Sequence, residues 1–383
     1  MVRKDFLVFG KPDVGQPEID EVVDSLRSGW IGTGPKVERF ELMLEDYVGV
    51  AHARCVSSCT AALFLTMSKL QIGPGDEVLV PSMTFVACAN AVEQTGAKPV
   101  FVDSEPRTGM IDLSAAEDAI TTRTKAIMPV HLAGRPLDLD RINRLRDERE
   151  LTVLEDAAHA IGAEWHGKRI GSFGNPTAFS FYVTKNITTI EGGAVVTVDP
   201  ELAAEVEQAA LHGLSAGAWR RYSDPGFKHY EATSLGYKFN MTDVQAALGI
   251  HQLPHLDDWI DRRADRWAQY DAALSDLPLD LPPAPDSETR HARHLYQVRI
   301  TDDAPISRDD LLDALYADRI GAGVHYRAIH LQPYYHDRYG IDPASLPVAT
   351  DISDRTVSLP LSHTLSEADL ENVVDSVRRA LGG

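Results

Sequence analysis

The sequence predicts an α/β protein, a mainly parallel seven-stranded sheet flanked by helices, with a smaller α+β part at the C-terminus. Short β-branched runs alternate with helical segments from about residue 53 to residue 198, and strands joined by helices pair in parallel with both faces covered. Near residue 252 the texture changes to a long helix, a proline-rich stretch and a further strand. A chain of 383 residues also exceeds one ordinary core, so two domains are expected, 1–252 and 253–383.

The first helix is expected at Pro17–Leu26. Ile19, Val22, Val23 and Leu26 share a face, Pro17 suits the first turn and Gly29 the stop. Strands are expected at Ala53–Val56, Val78–Pro81, Pro99–Asp103, Ala126–Val130, Thr152–Glu155, Thr177–Phe181 and Ala194–Val198. Helices such as Thr60–Leu70 and Leu139–Arg149 lie between most of them. Beyond Gln252-Leu253-Pro254 come a helix at Leu256–Leu274, the prolines of Pro278–Pro285, a strand at His294–Ile300, a helix at Arg308–Ala317 and a last helix at Glu367–Leu381. There is no internal repeat and no low-complexity tract.

Apolar residues make up 44% of the chain and charged residues 25%, as in ordinary soluble globular proteins. The net charge of −20 disfavours a nucleic-acid partner or an anionic membrane surface. Any anionic ligand then needs a local basic cluster, for which Lys36, Arg220, Arg221, Lys228 and Arg327 are the candidates. Three cysteines, Cys55, Cys59 and Cys88, without a CxxC pair fit a reducing compartment and neither a disulfide framework nor a zinc site. The N-terminal residues lead into no signal-like apolar run, and no stretch approaches the roughly 18 apolar residues of a membrane span. A cytoplasmic protein without a metal is expected.

Lys185 follows the apolar run Phe179-Ser180-Phe181-Tyr182-Val183 and precedes Glu191-Gly192-Gly193. That setting puts it between two strands, near the sheet edge where ligands gather. A second apolar run, Leu151–Leu154, ends in Glu155-Asp156. Alone, Asp156 reads first as a helix N-cap, and a metal site with His159 lacks a third ligand nearby. In a third segment, Ala53–Val56 turns through Ser57-Ser58-Cys59-Thr60 into a helix, where the hydroxyls either cap the helix or help its free N–H groups bind a phosphate. An imine-forming lysine, a carboxylate that keeps a pyridine nitrogen protonated and a phosphate-binding helix start are together the parts of a pyridoxal phosphate (PLP) site. His325-Tyr326-Arg327 and His330 read either as solvated loop polarity or as donors to an anionic substrate. Two motif matches are set aside. Gly213-Leu214-Ser215-Ala216-Gly217 fits a nucleophile elbow but follows a helical stretch rather than a strand. Gly162 to Gly167-Lys168 resembles a P-loop, but Arg169 stands where Ser or Thr is needed.

Several ordered blocks, taken together, resemble the DegT/DnrJ/EryC1/StrS sugar aminotransferases, PLP enzymes of fold type I, over nearly the whole chain. They are Ser28–Lys36, Gly75–Val78 with Pro81–Ala87, Pro129–Gly134, Glu155–Ala160, Thr184–Ile187, Glu191–Gly193, and Gly236–Asp243 with Gln245-Ala246-Ala247. The resemblance implies roles by position. Lys185 is the Schiff-base lysine and proton carrier, Asp156 the pyridine partner, Phe85 the ring-stacking aromatic, and His159 a neighbour of the ring's phenolic oxygen. Ser58, Thr60 and Ser180, with the backbone of Cys59, hold the phosphate. Asn240 reaches the phosphate of a neighbouring subunit, which implies a homodimer with shared sites; Lys238 is the other candidate for that contact. Trp30, Thr33, Lys36, Lys238, His325 and Arg327 line the nucleotide-sugar cleft. The implied activity is transfer of an amino group from L-glutamate, which leaves as 2-oxoglutarate, to C4 of a nucleotide-linked 4-keto-6-deoxy sugar. The block Ser28–Pro35 is more like that of C4 than of C3 enzymes, and this branch includes enzymes of antibiotic pathways. The dTDP sugar is the first expectation and a UDP-4-keto-pentose the alternative. A PLP-binding regulatory protein without turnover is the alternative of another class, against which the presence of Lys185 argues.

Overall fold

The computed structural model describes residues 4–215 and 231–382. Arg220, Arg221, Lys228 and the last glycine of the elbow match, Gly217, lie outside them.

The large sheet is built from β1 (His52–Val56), β2 (Glu77–Pro81), β3 (Lys98–Val102), β4 (Thr124–Ile127), β5 (Thr152–Val153), β6 (Glu155–Asp156), β9 (Thr177–Ser180) and β10 (Gly193–Thr197). They form two four-stranded units, in the orders β3-β2-β4-β5 and β6-β9-β10-β1. The units are joined by one chain segment, because β5 and β6 are separated only by Leu154. Along it Leu154 and Asp156 donate backbone N–H groups to Ile127 and Pro129 on one side, while Glu155 and Ala157 donate to Pro176 and Ala178 on the other. The seven expected strands are therefore present, with Thr152–Asp156 as a central one. The β3–β2, β2–β4, β4–β5 and β6–β9 pairs are parallel. Only β10 runs the other way, antiparallel to both β9 and β1. The expected Ala126–Val130 strand instead ends at Ile127. Pro129 has no N–H to extend the ladder, and Val130 makes only an isolated bridge to Asp156.

The helices show how the sequence positions the sheet's ligand edge. Cys59–Lys69 follows β1 directly, and eight of its 11 residues are buried, which makes it a core helix. Its N-cap is Ser58, whose side chain accepts from Ala61 N–H. Asp243–Gln252 starts with a capping box made by Thr242 and Gln245. Buried Asp243 accepts the N–H groups of Lys36 (3.2 Å) and Val37 (3.1 Å) and so fixes the start of the helix Pro35–Val48. The first helix, Gln16–Ser28, has proline in its first turn and ends at Gly29 with φ 81°, as its sequence predicts.

Beyond the sheet, a hairpin of β7 (Glu164–Trp165) and β8 (Lys168–Arg169) pairs with β12 (Thr289–Arg290). It holds the P-loop-like residues, and Arg169 is bound to Asp257 at 2.8 Å. The elbow-like residues follow the helix Pro200–Ala210, again not a strand. The antiparallel strands β11 (Leu279–Asp280), β13 (Tyr296–Ile300) and β14 (Thr356–Leu359) carry a separate C-terminal core with Trp267, Tyr270, Leu311 and Val373. The helix Leu256–Leu274 bridges two cores: Leu256 and Ile260 pack with the large sheet, Trp267, Tyr270 and Leu274 with the C-terminal strands. Ile329, Tyr335 and Ile352 also pack on the large-sheet side. Among the described residues no helix is long and apolar enough to cross a membrane.

Candidate active site

The ends of β1, β6 and β9 and the starts of the helices Cys59–Lys69 and Ala87–Gln94 converge on a cavity of about 440 Å³. Ser58, Cys59, Thr60, Phe85, Asp156, His159, Ser180, Lys185 and His325 all line it, as do Phe9, Thr84, Tyr182, Glu191, His294 and Tyr326.

Asp156 points into the cavity because of the residue before it. Neighbours on a strand face opposite sides. Glu155 is fully buried on the other side, bound by His131 Nε2 (3.0 Å) and Asn175 Nδ2 (2.8 Å). His131 Nδ1 accepts the N–H of Leu137, so the His131 proton sits on Nε2 and is donated to Glu155. Asp156 in turn accepts Ala158 N–H on Oδ1 (2.9 Å) and Cys88 S–H on Oδ2 (3.0 Å). Burial, with the charge of Asp156 next in weight, pushes the Cys88 thiol well above its ordinary pKa, so it stays a donor. The same two causes raise Cys59, whose Sγ lies 3.9 Å from Asp156 Oδ1. Sequence reasoning passed over Cys88; its position on the first turn after Pro81–Phe85 is the signal that could have found it.

Lys185 lies in the turn between β9 and β10. Burial pulls its amine down to about 8, partly offset by Cys59 and Asp156. Its Nζ is 3.5 Å from His294 Nε2. His159 accepts Ala133 N–H on Nδ1 (3.2 Å), and its Nε2 lies 3.0 Å from the Tyr326 hydroxyl. Desolvation lowers His159 well below the ordinary histidine value, with Lys185 and His325 adding to it. The imidazole is neutral, with its proton on Nε2 and directed at Tyr326. Phe85 is 54% exposed, its ring 5.6 Å from that of Tyr326. His325 packs beneath Phe9 at 5.2 Å and bonds Ser358. Phe9 and His294 carry no sequence signal, since each reaches the cavity only through folding of distant segments.

The remaining expected site residues lie elsewhere in this chain. Asn240 donates to Thr33 Oγ1 (2.7 Å) and accepts from Lys238 Nζ (2.7 Å). Thr33 and Asn240 line a different cavity, of about 640 Å³. Trp30 is on the surface, 37% exposed. Lys36 does not offer a free cation: its amine is 2.8 Å from both Glu21 and Asp24, and it ties the first two helices together. Arg327 is exposed, and its guanidinium bonds the Leu331 carbonyl, outside the cavity lining. His330 is buried between Ser82 (2.6 Å) and Thr350 (3.0 Å), which makes it a packing residue.

The lining residues fit PLP. The first N–H groups of a helix have no partner within it. Ser58 satisfies only that of Ala61, which leaves the turn at Cys59 and Thr60, beside the hydroxyls of Thr60 and Ser180, able to hold a phosphate. Asp156 can face a pyridinium nitrogen, and Lys185 supplies a low-pKa amine. Fold and site together define a PLP-dependent enzyme with an imine-forming lysine.

Comparison with known proteins gives the family. The model of the DegT/DnrJ/EryC1/StrS aminotransferase family matches residues 12–378. The chain belongs to this family. It is 44% identical over 383 residues to the spore coat polysaccharide biosynthesis protein SpsC of Bacillus subtilis, covering all of this chain and 98% of that one. It is similar to the PMP form of Spr1654 from Streptococcus pneumoniae, assigned as a sugar aminotransferase. That match has TM-score 0.92 and 33% identity, over 98% of this chain and 99% of the other. Helicobacter pylori PseC, an aminotransferase involved in the biosynthesis of pseudoaminic acid, matches with TM-score 0.91 and 30% identity over 99% and 100% of the two chains.

Gly193 makes the phosphate end testable. A Cβ there would stand 2.5 Å from Cys59 N and 2.8 Å from the Phe179 carbonyl, both backbone atoms that cannot swing away. Gly193→Ala is expected to push the helix start off β10 and weaken PLP binding about tenfold or more, since overpacking of this kind costs about 1–3 kcal/mol. Titration of apoenzyme with PLP, followed by absorbance, checks this.

Proposed function

We propose that this enzyme moves an amino group from L-glutamate to C4 of a nucleotide-linked 4-keto-6-deoxy sugar. The placement of Lys185 carries the reading: a buried amine with a pKa near 8 shares one cavity with Asp156, Ser58, Thr60 and Ser180. Bound PLP supplies an electron sink and carries the nitrogen between the two half-reactions. Lys185 Nζ takes the proton from the donor's α-carbon and returns one on the far side of the transfer. Ala158 N–H and Cys88 S–H hold the Asp156 side chain in the orientation in which it would meet the pyridine nitrogen. His159 donates from Nε2, and Phe85 offers a flat apolar face.

Regiochemistry rests on the Ser28–Pro35 block, which supports C4 over C3; the dTDP sugar is the first choice of acceptor and a UDP-4-keto-pentose the alternative. The part of SpsC in spore coat polysaccharide biosynthesis supports a product destined for a polysaccharide over one destined for an antibiotic. Three free, buried cysteines support a cytoplasmic location. A homodimer is supported by Asn240, which lines the other cavity and not the Lys185 cavity of its own chain. Residues 1–252 are proposed to carry most of the cofactor site and residues 253–383 to close it with His294, His325 and Tyr326.

Borohydride reduction of the PLP-loaded protein is expected to fix the cofactor on Lys185, located by peptide mass spectrometry. Glutamate added beforehand should prevent the labelling and release 2-oxoglutarate. A labelled Lys185→Ala protein, or no 2-oxoglutarate, overturns the reading. Asp156→Asn keeps the shape and removes the charge; turnover with glutamate and a dTDP-4-keto-6-deoxy sugar is expected to fall roughly 10²-fold or more. For the shared site, mixing Lys185→Ala with Asn240→Ala subunits should restore activity in heterodimers, because one of the two sites draws both residues intact. Unrestored activity in isolated heterodimers would show that Asn240 acts within its own chain.

A further inference from the structure

Two buried histidines stand beside Lys185, and both hang from one backbone unit. Ala133 N–H donates to His159 Nδ1 (3.2 Å), and the Ala133 carbonyl accepts from His294 N–H (3.0 Å). Their rings are 4.5 Å apart, centroid to centroid. His159 is directed at Tyr326, whereas His294 is directed at Lys185.

The direction of the His294 contacts follows from a chain of three. Asn186 Nδ2 donates to the Ala292 carbonyl at 2.7 Å. A carbonyl oxygen only accepts, so the amide nitrogen of Asn186 must face it, and the amide oxygen therefore faces His294 Nδ1 at 3.3 Å. That oxygen also only accepts, so the imidazole proton sits on Nδ1. Nε2 is left with a lone pair toward Lys185 Nζ, 3.5 Å away. Asn186 is 4% and His294 5% exposed, so water does not compete for these bonds. His294 is neutral: burial lowers it well below the ordinary value, and Lys185, His159, Arg263 and His325 all add to the effect. Lys185 itself faces Cys59 and Asp156 as well as these histidines.

We propose that His294 is a positioning residue for Lys185, its Nε2 accepting a hydrogen bond from the free ε-amine and holding it in the cavity between proton transfers. The inference rests on the reading of Lys185 as the proton carrier. A neutral acceptor suits that task better than a carboxylate. Amine and ammonium both donate, so Lys185 can take a proton from the substrate carbon and give it back without losing its anchor. A carboxylate would favour the ammonium and suppress the base. Asn186, the residue next to Lys185 in sequence, keeps His294 in the tautomer that this requires.

The test measures the amine directly. In the PMP-loaded enzyme Lys185 is free, and its reactivity toward acetic anhydride across pH, read by peptide mass spectrometry, reports its pKa. The parent midpoint is expected below that of an ordinary lysine, because the amine is buried. His294→Met removes the acceptor and should lower the midpoint by about one pH unit, because a hydrogen bond to a charged donor is lost. His294→Gln, which keeps an acceptor, should restore it. If His294→Met does not fold, Asn186→Ala takes its place: freed of its Nδ1 partner, the imidazole can carry its proton on Nε2, and the midpoint should again fall. An unmoved midpoint in a folded His294→Met protein, or equal shifts in the Met and Gln variants, overturns the inference. Failure of borohydride to trap Lys185 in the parent would instead overturn the reading beneath it.

Discussion

The site depends on the alternation of two adjacent acids at the end of the central strand. A buried carboxylate is costly unless its oxygens are bound. His131 and Asn175 bind Glu155 on one face of the sheet, and this leaves Asp156 on the other face with no freedom to exchange places. A slip of one residue would put the site's acid into a sealed polar cluster and turn Glu155 toward the cavity. Which of the two acids faces the cavity is thus set by packing on the opposite side of the sheet.

The phosphate end follows from a different constraint, the close approach of backbone to backbone. β10 is the one reversed strand of the large sheet, and it begins at Gly193 directly against the start of the helix Cys59–Lys69. Without a side chain at Gly193 the strand and the helix start meet, and Ser180, Ser58 and Thr60 come to one end of the cavity. Lys185, in the turn before β10, faces the middle of the same cavity. Its lowered pKa is a consequence of burial that only Cys59 and Asp156 partly offset. The fold holds an amine in a state that is unfavourable for a structural lysine and useful for a proton carrier.

The C-terminal residues complete the site from above. His294 comes from the segment leading into β13, and His325 and Tyr326 follow the helix Arg308–Ala317. Phe9 reaches over His325 from the N-terminal arm, where Leu7 donates its backbone N–H to the Arg319 carbonyl and accepts from Gly321 N–H. Cavity walls therefore come from three remote parts of the chain, and the helix Leu256–Leu274 couples the core under the sheet to the core under the C-terminal strands.

The sequence alone determined what local chemistry determines. Alternation of short apolar runs with helices set the parallel sheet, and periodicity with caps set helices such as Leu139–Arg149, Leu256–Leu274 and Glu367–Leu381, whose ends agree with the structure. Lys185, Asp156 and the Ser58–Thr60 turn were legible because each sits at a strand end or helix start, where neighbouring residues dictate orientation. Tertiary structure decided what depends on distant partners. It ended β4 before Pro129 and committed Lys36 to Glu21 and Asp24, because ion pairing follows spatial neighbours and not residue type. It placed Asn240 away from its own chain's Lys185, and it brought Cys88 to Asp156 and His294 to Lys185 across 68 and 109 residues of sequence. Hydrogen bonds over such separations leave no periodic trace in the sequence, since their geometry exists only once the strands and helices have packed.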